Sequence, residues 1–163
     1  MGQRSTEHVA ELVEAAAYGC VLVIAALAVV GVAEISVGYG AELVAGVGVA
    51  TWLAHVYADL LAGHVRHTDP LHRREIRRAM AVGAPILVAP ILPAVVLLAG
   101  RLDAVPVHAA RVVAIVVAFV QLLAIGVYVA RWAPGGVRSW WGFGIATVLV
   151  GVVVVGLTVA LGH

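Results

Sequence analysis

Lysine is absent from this chain, cysteine occurs once, and charged side chains make up only 12% of 163 residues. Each shortage excludes something. Cys20 alone cannot close an intrachain disulfide or supply a cysteine-based metal motif. So few charges cannot clothe a soluble domain of this size. The ten basic residues are all arginine, against nine acids, so the formal charge of +1 gives no sign of an electrostatically chosen partner. The absence of lysine, beside abundant Ala, Val and Gly, is the mark of a coding bias.

What fills the chain instead is apolar, at 63% hydrophobic residues and a mean hydropathy of +1.08. Charge-free runs cover residues 15–33, 43–58, 79–100, 112–130 and 139–162. A helix needs roughly 20 such residues to cross a bilayer core. The chain therefore reads as all-α, a single integral membrane domain over 1–163 with five transmembrane helices near 12–34, 41–63, 79–100, 108–131 and 139–162. The flank of the first run is acidic, with Arg4 against Glu7, Glu11 and Glu14, which argues for a retained span over a cleaved signal peptide. The second run is short. It reaches membrane length only if Asp59 lies inside, and an ionisable group there is a functional lead.

Arginine placement predicts orientation, because cytoplasmic loops collect positive charge. With the N-terminus cytoplasmic, Arg4, Arg66, Arg73, Arg74, Arg77, Arg78, Arg131 and Arg138 lie inside, whereas Arg101 and Arg111 lie outside. The C-terminus is then external, and the membrane is the inner, cytoplasmic one. Trp132, Trp140 and Trp141 read as an interfacial belt around the turn Pro134-Gly135-Gly136. The connector 64–78 holds five of the ten arginines and three histidines. It predicts contact with anionic lipid headgroups. A nucleic-acid patch would need aromatic interleaving, which is lacking. Asp69 before Pro70 is a helix-start signal. Pro85, Pro90 and Pro93 predict a kink in span three, either an ordinary bend or a broken helix of the kind that borders binding sites.

Span two carries the densest pattern. Gly46, Ala50, Ala54, Ala58 and Ala62 recur every four residues, a small-residue ridge suited to close helix approach. Beside it run Thr51, His55 and Asp59. Span one answers with Glu11, Glu14 and Tyr18 at i, i+3 and i+7. Antiparallel packing of the two spans predicts a cluster of Glu11, Glu14, Tyr18, His55 and Asp59 near the cytoplasmic side, with His64 or Arg131 as counter-groups. Such a cluster suits a proton relay or cation site, a structural polar lock, or carboxylate and imidazole binding of a divalent metal. Gln121 and Tyr128 on span four either extend the polar lining or hydrogen-bond singly between helices.

The segment Ser36-Val37-Gly38-Tyr39-Gly40 resembles the Thr-Val-Gly-Tyr-Gly filter of potassium channels. That resemblance implies stacked carbonyls held between an outer and an inner helix, and here no apolar run precedes the first span. An outer turn with an interfacial tyrosine is the other reading. Glu14-Ala15, Gly19, Trp52 and His55 look like the first two helices of bacterial and lysosomal potassium channels bearing an Arg-x-x-x-Phe-Ser-Asp signature. The signature positions hold Leu12, Ala16, Ala17 and Tyr18, and the span count is one short of that family's repeat. This resemblance implies a small oligomeric cation pathway. The stretch from Glu14 to Gly19 also looks like the first helix of small actinobacterial membrane proteins, a likeness that implies no activity.

Three functions follow as expectations: a homo-oligomeric channel or transporter for protons or small cations, a non-conducting assembly or scaffold subunit, and a membrane-embedded enzyme built on His55, Asp59, Glu11 and Glu14. None of the three calls for a cofactor.

Overall fold

The computed structural model describes residues 3–31, 35, 38–66, 72–131, 149, 151–153 and 156. They build five helices: α1 (Gln3–Val29), α2 (Tyr39–Arg66), α3 (Arg73–Val88), α4 (Ile91–Arg101) and α5 (Val107–Ala130). Among the described residues there is no strand. Four stretches are long and apolar enough to cross a membrane: Glu7–Val29, Tyr39–Val65, Arg73–Arg101 and Val107–Ala130. These fit a membrane-embedded protein. The fifth expected span, 139–162, falls largely outside the described residues, as do Trp132, Trp140, Trp141 and the Asp69-Pro70 signal.

The helices overrun the apolar runs at the arginine-rich end. α1 takes in the acidic flank, whose Glu, Ala and Leu residues are good helix formers. α2 continues to Arg66, and α3 opens at Arg73, so much of the expected connector is helical. The start of α3 is fixed by Glu75, whose carboxylate accepts the His72 backbone amide at 3.1 Å.

The third apolar stretch breaks at Pro90, whereas Pro85 and Pro93 are carried within α3 and α4. α3 keeps the Ala89 N–H to Pro85 carbonyl bond at 3.1 Å, turns at Ala89 and Pro90, and resumes as α4. Pro90 has no amide hydrogen, so the ladder cannot run through it. Its ring enters a gap at Gly48 of α2, where an added Cβ would stand 2.5 Å from Pro90 Cγ.

α1 is the central helix, packing against α2, α3 and α5, while α2 also packs on α3 and α4. Val23, Ile24 and Leu27 of α1, with Val30 just beyond it, form the middle of the core with Val44, Leu97, Ala114, Ala118 and Leu122. α4 and α5 form a tight hairpin, with Gly100 so close to Ala110 that a Cβ would lie 2.6 Å from the alanine methyl. Asp103 turns the corner at φ 54, a left-handed conformation that aspartate tolerates better than most residues.

The expected ridge on α2 does not form one contact within the chain. Gly46, Ala50, Ala54 and Ala58 are exposed and only Ala62 is half-buried. Each four-residue step turns about 40° past a full circle at 3.6 residues per turn, so the series winds around the helix. α2 instead buries Gly40, Val44 and Gly48, on the side opposite Gly46. The buried small-residue series belongs to α5: Ala110, Ala114, Ala118, Gly126 and Ala130, with Leu122 among them.

Candidate functional site

The polar stripes of α1 and α2 meet. Glu14 and Tyr18 from α1, with Thr51, Ala54, His55 and Ala58 from α2, line a groove of about 400 Å³. The antiparallel pairing that sets this depth begins at the connection, where Gly40 of α2 lies against Val30 just beyond α1. His55 owes its position to α3: a Cβ at Gly83 would lie 3.3 Å from His55 Cδ2 and 3.1 Å from Trp52 Cδ1. Trp52 Nε1 donates to the Met80 carbonyl at 3.4 Å and holds that side of α2 against α3. A glycine facing a tryptophan and a histidine is a signal that no pattern within span two could reveal.

Three of the five expected residues thus share one groove. His55 and Thr51 are half-buried, whereas Glu14 and Tyr18 are exposed on its open side. No hydrogen bond or ion pair joins these side chains among the described residues. The other two stand apart. Asp59 is exposed, one turn beyond His55, and does not line the groove. Glu11 is drawn toward α3, where Arg78 Nη2 donates to both of its carboxylate oxygens at 3.1 and 3.2 Å, and His8 Nδ1 stands 3.8 Å from Glu11 Oε2. His64 is exposed. Arg78 as the counter-group of Glu11 follows from the helical extension of α3, which carries that guanidinium back over α1.

Glu14 offers acceptors, the Tyr18 and Thr51 hydroxyls both donate and accept, and His55 does either according to its proton. Such a set can coordinate a small cation with oxygen atoms or hand a proton between neighbours. Among the described residues no group of three or more His, Cys, Asp or Glu side chains is arranged to hold a metal ion.

Gln121 and Tyr128 lie elsewhere, on cavities shared by α1 and α5 away from the polar groove. The Gln121 Oε1 atom is buried without a hydrogen-bond partner among the described residues. Cys20 is buried in the core. In the filter-like segment, Gly38 adopts φ 86 under the Arg101 side chain, and Tyr39 and Gly40 open α2; 36–37 lie outside the described residues.

No protein-family model matches the chain, and no curated protein and no solved structure matches it either.

Proposed function

We propose that the chain is a multi-pass protein of the inner membrane, N-terminus cytoplasmic and C-terminus external, that passes protons or small cations along the α1–α2 groove as a homo-oligomer. The observation that carries this reading is the convergence of Glu14, Tyr18, Thr51 and His55 from two helices on one groove inside the apolar zone. Ionisable groups are costly there and mark ion paths when they face a cavity. Glu11 and Asp59 stand one turn nearer the arginine-rich end, where carboxylates would gather cations at the mouth. Ala54 and Ala58 belong both to the groove lining and to the exposed small-residue series. A second copy seated there would close the open side into a path.

The test is proton and potassium flux into liposomes holding the purified protein. The wild type conducts, and Glu14→Gln and His55→Ala abolish flux while span integrity and oligomer size stay unchanged. Wild-type liposomes no leakier than empty ones would overturn the proposal. Fusions of reporters to the termini check orientation, and both termini on one side would contradict the five-span topology.

A second reading, a non-conducting assembly subunit, is favoured by the same exposed surface, since Gly46 has nothing within 4 Å of where its Cβ would be. It predicts stable oligomers with no flux.

A further inference from the structure

The far side of α1 carries a second groove with different chemistry. Leu12 and Cys20 of α1, Ala84 and Val88 of α3, and Gln121 and Ala124 of α5 border about 570 Å³. A neighbouring cavity of about 360 Å³ shares Leu12, Ala16, Ala124 and Ile125 and extends toward Val9 and Tyr128. The two form one cleft between α1, α3 and α5, apolar except at Gln121 and Tyr128. Val88 and Ala124 are exposed, so the cleft opens sideways.

Its length and its rim point to one kind of occupant. From Val9 to Cys20 the cleft follows eleven residue steps along α1, about 16 Å at the helical rise. That is close to one leaflet of a hydrocarbon core about 30 Å thick. The cleft face of α3 runs through Ala81, Ala84, Pro85 and Val88. Continued backward at the same i, i+3, i+4 and i+7 spacing, it meets Arg74, Arg77 and Arg78, all exposed. On α5 the series Gln121, Ala124 and Tyr128 continues to Arg131, also exposed. By this spacing the apolar cleft runs toward arginine positions on two helices at its Val9 end. Arginine matches phosphate oxygens in planar, forked geometry. Glu11 holds Arg78 and leaves Arg74 and Arg77 as the rim cations on α3 without an acidic partner among the described residues.

We propose that this cleft is a binding site for an anionic phospholipid, with one acyl chain along α1, α3 and α5 and the headgroup phosphate on Arg74 and Arg77. The site lies on the side of α1 opposite Glu14 and Tyr18. It rests on the membrane reading alone, so absence of ion flux leaves it standing.

The experiment is native mass spectrometry of the detergent-purified protein titrated with dioleoylphosphatidylglycerol, dioleoylphosphatidylcholine or inorganic phosphate. Wild type retains one phosphatidylglycerol in preference to phosphatidylcholine. The double variant R74Q/R77Q lowers that retention about thirtyfold, in line with the attraction of two surface arginines to an anionic lipid. A124F, which fills the open cleft from its exposed wall, lowers retention as well, with its thermal unfolding in detergent unchanged. Equal retention of the two lipids, or undiminished retention in A124F, would overturn the proposal. Displacement of the lipid by inorganic phosphate would reduce the site to the arginines alone and also overturn it. Loss of dimers in A124F without loss of lipid would assign the cleft to contact between copies and refute the lipid.

Discussion

α2 and α5 carry the same sequence device, small residues at every fourth position, and the fold treats them oppositely. On α5 the series Ala110, Ala114, Ala118, Gly126 and Ala130 is buried throughout. On α2 the series from Gly46 to Ala58 is exposed. A four-residue series winds around its helix, so it stays buried only where neighbours succeed one another along the winding. α5 has that succession, with α4 packed at its start through Gly100 and α1 along its length. α2 meets α1, α3 and α4 on the side marked by Gly40, Val44 and Gly48, and Gly46 points away from all of them. Small residues permit close approach, and the neighbours decide whether it happens.

The strongest way to break this contrast is Ala118→Leu. Ala118 is fully buried, and forcing three more carbons into the α1–α5 contact should destabilise the fold by about 3 kcal/mol, the upper end for overpacking. Thermal unfolding in detergent measures it; Ala54→Leu on α2 should leave the monomer's stability unchanged and alter only its association. An equal loss in both would mean that the α2 series is covered within the chain. Gly48→Ala comes next, with an expected loss of about 1–2 kcal/mol because the added methyl meets the rigid Pro90 ring. Gly46→Ala, two residues away, should instead gain about 0.5–1 kcal/mol from helix propensity, as its Cβ meets nothing. A matched loss at both glycines would contradict the assignment of faces.

Arg78→Gln should have the smallest effect. The guanidinium and the Glu11 carboxylate are both well exposed, and pairs of this kind contribute about 0.2–1 kcal/mol. A double-mutant cycle with Glu11→Gln reads the coupling, and a value indistinguishable from zero at low salt would show that the contact does not hold α1 against α3.

The polar site was half legible. The spacing of Glu14 with Tyr18 and of Thr51 with His55 is fixed by helical geometry, and neighbouring antiparallel spans bring such stripes to one depth, so their meeting could be read from the residues. Asp59 could not be placed that way. It continues the stripe of His55 by spacing, yet the drift of the same four-residue step carries it off the groove lining. Glu11 went to Arg78 because α3 begins above its apolar run, and a run of hydrophobic residues says nothing about how far the helix extends beyond it.

The sequence by itself determined that the first four apolar segments are helical, and that the third of them is interrupted. Both follow from local causes: a backbone in hydrocarbon must satisfy its own hydrogen bonds, and proline lacks the amide to do so. Only the tertiary structure decided which stripe of each helix is covered, which cation faces Glu11, and that α1 has a polar groove on one side and an apolar cleft on the other. Those are properties of pairs of helices. They depend on rotations and offsets between elements far apart in the chain, and the three-dimensional contacts through Gly48, Gly83 and Gly100 set them.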